Sequence, residues 1–183
     1  DPIVRWKLAL TYLYTAPGIP ILYYGSDIAL DGAEDPGNRR MMEFDEDQIL
    51  TKYISKLGAL RNQYPSLTRG DLEVLHDESG MAVYKRTYKD ETIVVAINNT
   101  TDQQTVSLDE KDLPLDMELK GLLADGSVKE SKGKYSLTID SEQAEIFSIS
   151  EIKGLDFAFL GPIIFIFSVL LGLVILMWKR FKK

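Results

Sequence analysis

The sequence predicts an α/β segment, then an all-β domain, then one membrane-spanning helix. Up to residue 65, apolar residues recur at helical spacing on either side of one short apolar run. From Asp71 the period shortens, and short apolar runs alternate with turn signals. Residues 157–178 then carry no charged side chain at all. With 45% hydrophobic and 27% charged residues over 183 positions, the chain can pack a core, which excludes a disordered or fibrous class.

Residues 3–15 predict a helix: Ile3, Trp6, Leu10 and Leu13 share a face, with Arg5 and Lys7 off it. Pro17-Gly18 ends it. Residues 19–24 form a nearly continuous apolar run that suits a strand buried on both faces, with Pro20 near its start. Residues 25–44 read as a long polar loop, of a length that is usually functional or disordered. Asp45 is expected to open a second helix, with Gln48 completing a capping box and Glu46 and Asp47 suiting the positive helix end. Its stripe is Ile49, Tyr53, Leu57 and Leu60, and Pro65 stops it.

Seven short runs follow, at 72–75, 81–84, 92–97, 105–108, 117–123, 135–139 and 144–149, separated by turns such as Asp125-Gly126 and Lys132-Gly133. Strands this short and this regularly spaced predict an antiparallel β-sandwich over 71–150, able to close its own core. The front is different. Helix, buried strand, loop and helix is the tail of a strand–helix alternation, and one parallel strand is not a sheet. Residues 1–65 are therefore expected to need partners outside this chain. The opening residue is Asp1, not Met, and the chain is expected to be a processed protein or the C-terminal piece of something longer.

Charge supports the same zones. Residues 1–70 hold 8 basic and 9 acidic side chains, and residues 71–156 hold 9 and 19. The last five residues, 179–183, hold four basic ones. A helix over 157–178 would span about 33 Å, enough for a bilayer core. Trp178 would then lie at the interface and the basic tail on the cytoplasmic side. A net charge of −7 argues against nucleic acid as a partner. The absence of cysteine excludes disulfides, thiol nucleophiles and Cys-ligated metals, and a single histidine, His76, excludes a multi-histidine site.

The run Ala16-Pro17-Gly18-Ile19-Pro20-Ile21-Leu22-Tyr23-Tyr24-Gly25 resembles the last barrel strand of the alpha-amylase family of glycoside hydrolases, which reads PGxPxxYYG. Asp35-Pro36-Gly37-Asn38-Arg39-Arg40-Met41-Met42 resembles that family's DPxNRxxM segment. Where the family usually carries an acidic pair after YYG, this sequence has Ser26-Asp27. The resemblance covers about residues 3–150. It implies that residues 1–65 are the last helix–strand–helix of a (β/α)8 TIM barrel and residues 71–150 the family's C-terminal β-sandwich. It also implies a retaining, two-carboxylate glycosidase acting on α-glucosidic bonds of α-glucans or malto-oligosaccharides. The family's catalytic Asp, Glu and Asn-His-Asp segment all precede the helix at 3–15, so this chain is expected to hold no catalytic residue and to be inactive alone. No cofactor is expected here, and Ca²⁺ is left open for the missing barrel.

Asp35 and Arg39 are the candidate substrate-binding residues. On the residues alone, they could simply pair across the Pro36-Gly37 bend. The resemblance implies that they hydrogen-bond sugar hydroxyls, the carboxylate accepting and the guanidinium donating. Tyr23 and Tyr24 are candidates for stacking on sugar rings, with core packing expected for at least one. The cluster of Glu43, Asp45, Glu46 and Asp47 lacks calcium-loop spacing and is read as helix capping. His76 is read as a solvated turn residue. Asn98-Asn99-Thr100-Thr101 contains two glycosylation sequons. Tyr84, Tyr88 and Tyr135 could form a starch-binding surface, with sheet-face packing as the plainer reading.

The expected whole is therefore a glycosidase on the surface of a Gram-positive bacterium, held by its C-terminal helix with the enzyme outside. The other reading from the same residues is an amylase-like, membrane-anchored binding subunit without catalysis.

Overall fold

The structure, a computed structural model, describes residues 1–32, 34–42, 44, 48–152, 161, 165–168 and 170–172. Asp1–Glu151 forms one compact unit and Ile152–Lys183 a second. In the second, Gly161, residues 165–168 and residues 170–172 are helical, and Phe165, Ile166, Phe167, Leu170 and Leu171 are exposed. Among the described residues no helix is long and apolar enough to cross a membrane. Most of the expected span at 157–178, and all of the tail at 179–183, lies outside the described residues.

Helix α1 runs Pro2–Thr15, started by the Asp1 carboxylate accepting from the Ile3 N–H and by Pro2 in the first turn. Helix α2 runs Ile49–Gln63, and a one-turn helix, α3, follows at Pro65–Arg69. Pro65 does end α2, but it also starts α3, because a proline in a first turn has no hydrogen bond to lose. The Glu91 carboxylate accepts from the Ser66 N–H at 2.7 Å and satisfies one free donor of that turn.

Eight strands follow: β1 Asp71–Glu78, β2 Met81–Tyr88, β3 Glu91–Asn98, β4 Gln104–Asp109, β5 Met117–Gly121, β6 Ser127–Lys129, β7 Lys134–Ile139 and β8 Ala144–Glu151. All pairings are antiparallel, in a six-stranded sheet ordered β1-β2-β3-β8-β5-β6 and a two-stranded sheet β4-β7. The extra strand, β6, is only three residues long and has no apolar run to announce it.

The two sheets enclose one core: Met81, Val83, Val94, Ala96, Leu108, Leu119, Tyr135, Leu137 and Phe147. The other face of the large sheet is not solvated. Tyr84, Ile93, Val95, Ile97 and Ile146 pack on it against Leu8, Leu10, Leu50, Leu57, Leu60 and Leu67 of the helices. Strand β3 is therefore apolar at consecutive positions, Ile93-Val94-Val95-Ala96-Ile97, and buried on both sides. The expected α2 stripe holds at Tyr53, Leu57 and Leu60 and fails at its first position, where Leu50 is buried and Ile49 exposed.

Two arginines fix the helical layer: Arg86 joins the sheet to the helices, and Arg61 joins α2 to the ends of α1 and α3. Arg86 of β2 is 1% exposed and donates to the carbonyls of Thr15 and, at 2.8 Å, Gly70. Arg61 of α2 donates to Tyr14 and Leu67 carbonyls at 2.7 Å and to the Gly18 carbonyl. Tyr14 and Thr15 end α1, where carbonyls lack helical partners and the helix dipole is negative. Burial lowers the Arg61 guanidinium from its ordinary value; burial and then the Arg61 charge do the same to Arg86. Beside them Thr15 gives its hydroxyl proton to the Thr11 carbonyl at 2.5 Å, so Tyr84 donates to Thr15, also at 2.5 Å. Burial pushes the Tyr84 hydroxyl up to about 12.

Several expectations are corrected. Residues 19–24 are not a strand: no other strand flanks them among the described residues, and Ile19 and Ile21 are 87% and 81% exposed. Strand geometry needs a neighbouring backbone to accept and donate, and the strands present are all committed to the β-sandwich. The chain before α2 has Gln48 as its N-cap with no side-chain bond, and Asp45, Glu46 and Asp47 lie outside the described residues. His76 is not in a turn. It sits half-buried within β1, opposite Val83, beside an irregularity after Val74. Asn98 is fully buried, donating to the carbonyls of Asp102, Ile139 and Asp140, so the first sequon is a structural device.

The Tyr84 contact gives a pH test. Its native pKa lies above the unfolded value near 10, so the native state holds the proton more tightly. That stability is complete below about pH 10 and is lost as pH rises to about 12, a change of about 2 kcal/mol. Urea melts across this range should show a steeper fall for the wild type than for Tyr84→Phe. Separately, Arg86→Met should lower stability by about 3 kcal/mol in the same assay at pH 7, by leaving the Thr15 and Gly70 carbonyls unpaired.

Candidate functional site

The long loop after Gly25 is held at both ends. Arg61 grips the Gly18 carbonyl before it, and the Thr51 hydroxyl of α2 donates to the Asp27 carbonyl within it at 3.3 Å. Gly25 has φ +82°, and a Cβ there would lie 2.8 Å from the Leu30 side chain. Glycine is thus required both by the backbone and by close approach. The Ser26 N–H donates to Tyr23 and the Leu30 N–H to Gly25, which curls the chain into a compact turn.

Tyr23 and Tyr24 stand at the mouth of this turn with ring centroids 4.7 Å apart, tilted by 52°. Both are exposed, so the expectation that one would be core-packed does not hold. Its reason was a strand with two covered faces, which residues 19–24 do not form. The Tyr24 hydroxyl lies 3.2 Å from the Asn38 carbonyl and 3.4 Å from that of Arg40, so it can donate to either and pins the second half of the loop. A turn of 3₁₀ helix at Gly37–Arg39 carries Arg39. Its guanidinium pairs with Asp35 at 3.5 Å, with both side chains about two-thirds or more exposed. Arg40 points elsewhere and pairs with Asp31 at 3.2 Å.

The loop therefore offers two exposed aromatic faces and a carboxylate–guanidinium pair on one short segment. Such groups bind hydroxyl-rich ligands: C–H faces against the rings, hydroxyls to the fork and the carboxylate. Among the described residues no group of three His, Cys, Asp or Glu could hold a metal ion. Glu43 and Asp45–Asp47 lie outside the described residues. Tyr84, Tyr88 and Tyr135 share no surface: Tyr84 is buried under the helices and Tyr135 in the sandwich, its hydroxyl donating to Pro114 at 2.7 Å.

Residues 70–147 match the alpha-amylase C-terminal domain family. The structure is similar to an Anoxybacillus alpha-amylase described as a new glycosyl hydrolase subclass, with 54% identity and a TM-score of 0.82 over 85% of this chain and 34% of that one. It is also similar to the alpha-amylase from Geobacillus thermoleovorans complexed with acarbose, with 50% identity and a TM-score of 0.81 over 84% of this chain and 34% of that one. The beta/alpha-amylase of Paenibacillus polymyxa is 30% identical over 149 residues, 81% of this chain but 12% of that protein. Other relatives are named cyclomaltodextrinase and neopullulanase. These likenesses support a C-terminal part of an alpha-amylase-family protein. The chain spans about a third of the two solved relatives.

In this amylase-type part, sequence reasoning missed Arg61, Arg86, the Asp31–Arg40 pair and Glu145. The Glu145 carboxylate accepts from the N–H groups of Leu122, Leu123 and Ala124 and shapes the turn after β5. Two signals were present. Arg61 falls four residues after Leu57 on the apolar stripe, and Arg86 falls two after Tyr84 on one strand face.

Because Asp35 and Arg39 are so exposed, their pairing adds little to stability. Arg39→Ala and Asp35→Ala should each keep the thermal midpoint within about 2 °C of wild type. Gly25→Ala should lower it, by about 1–3 kcal/mol in stability, through its positive φ and the Leu30 contact.

Proposed function

We propose that this chain is the C-terminal part of a retaining glycoside hydrolase acting on α-glucosidic bonds of α-glucans or malto-oligosaccharides. The observation that carries the reading is the unpaired segment at 19–24, apolar and exposed, running into the loop that presents Tyr23, Tyr24, Asp35 and Arg39. Such a segment fits the last strand of a (β/α)8 barrel whose other strands lie upstream, and its loop then opens at the barrel's C-terminal face, where substrates bind. The amylase names of relatives that match most of this chain support the same reading.

In this reading Asp35 accepts from vicinal sugar hydroxyls and Arg39 donates to them, the loop backbone keeping the two side chains side by side. The nucleophile and the acid/base belong to the upstream barrel, as does any Ca²⁺. Residues 157–178 span a membrane, residues 179–183 stay cytoplasmic, and the enzyme faces outward from a Gram-positive cell. The helical, exposed apolar residues Phe165, Ile166, Phe167, Leu170 and Leu171 agree with lipid contact.

The 183-residue chain alone should release no reducing sugar from malto-oligosaccharides. In the full-length enzyme, Arg39→Ala should lower kcat/KM by about 10- to 150-fold, the cost of one charged hydrogen bond, while Arg40→Ala stays near wild type. Activity of the isolated chain, or a crippled Arg40→Ala beside a normal Arg39→Ala, would overturn the assignment. Protease treatment of intact cells should release the β domain, and its protection would reverse the topology.

A further inference from the structure

The β2–β3 hairpin, α3 and β8 enclose an open cleft of about 490 Å³ on a part of the molecule built from none of the residues of the 24–40 loop. Its size lies within the range of roughly 300–1,000 Å³ usual for small-molecule sites. Tyr64, at the junction of α2 and α3, and Tyr88, at the end of β2, both line it. Both are half-buried, so part of each ring is held by the protein and part faces the cleft. Lys89 and Asp90 form the rim in the hairpin turn, and Ser148 adds a hydroxyl from β8.

Among the described residues neither Lys89 nor Asp90 makes an ion pair, and the Tyr88 hydroxyl has no hydrogen bond. The Lys89 ammonium lies 5.4 Å from the Tyr88 ring centroid, a cation–π contact that holds it over the aromatic wall. Glu91, by contrast, is already occupied by the Ser66 N–H. Two aromatic side chains in the lining, with a carboxylate and an ammonium on the rim and a hydroxyl beside them, suit a neutral ring with apolar faces and hydroxyl edges. A charged ligand would meet both signs at once on the rim.

We propose that this cleft is a second, non-catalytic carbohydrate site, in which sugar rings of a malto-oligosaccharide stack on Tyr64 and Tyr88 and hydrogen-bond to Asp90 and Lys89. The choice of an α-linked glucan rests on the functional reading above; the cleft's chemistry for a neutral oligosaccharide does not.

The test is maltoheptaose titration of the intact 183-residue chain in detergent micelles, followed by calorimetry. The titrations are run in the Arg39→Ala background, which weakens the loop site, so that the signal reads the cleft. Tyr64→Ala and Tyr88→Ala should each weaken binding by about three- to tenfold, and Tyr88→Phe should retain it. Asp90→Ala, at an exposed turn position that cannot disturb the core, should also weaken it. No binding in the Arg39→Ala background, or binding undiminished there by Tyr88→Ala and Asp90→Ala, would each overturn the proposal. The kcat/KM comparison of Arg39→Ala in the full-length enzyme reads the first site alone, so the two readings fail separately.

Discussion

Two guanidinium groups buried without a carboxylate in contact organise this chain: Arg86 holds the sheet to the helices, and Arg61 holds the helices to one another. Arg61 and Arg86 between them bind five backbone carbonyls, at Tyr14, Thr15, Gly18, Leu67 and Gly70. Fixed dipoles do here what a counter-ion does elsewhere. They accept from the terminal nitrogens of both guanidinium groups, the buried Arg86 Nε staying unpartnered among the described residues, and supply negative potential from carbonyls that a helix end leaves free. A lysine could not serve in place of either arginine, since one compact ammonium does not reach carbonyls on separate segments at once.

The position of the loop follows from that clasp. By holding Gly18, Arg61 determines where the chain leaves α1, and the Thr51 hydroxyl holds Asp27 from the other side. Between them Gly25 makes its turn, and Tyr24 ties the far half of the loop back through the carbonyls of Asn38 and Arg40. Asp35 and Arg39 can then be exposed yet localised, because the order resides in the backbone around them and not in their own weak pair.

The same arrangement explains why the β domain is not solvated on its outer face. β3 carries apolar side chains on both sides, one set meeting β4 and β7 and the other meeting the helices. An isolated sandwich would leave Ile93, Val95 and Ile97 in water. The helices cover that face, and the buried Arg86, Tyr84 and Thr15 give the contact a single register.

The sequence by itself determined what depends on neighbours along the chain. Period-two alternation and turn residues located seven of the eight strands, helical spacing located α1 and α2, and the PGIP and DPxNR runs marked the loop with Asp35 and Arg39. Tertiary structure alone decided what depends on partners distant in sequence. Leu50 and not Ile49 is buried because the sheet lies on that side. Tyr84 and Tyr135, alike in sequence context, face different cores. Asn98 lost its surface role to three carbonyls, one of them 41 residues away. Residues 19–24 show the limit most plainly: an apolar run encodes a willingness to be a strand, but a strand exists only where another backbone supplies its hydrogen bonds.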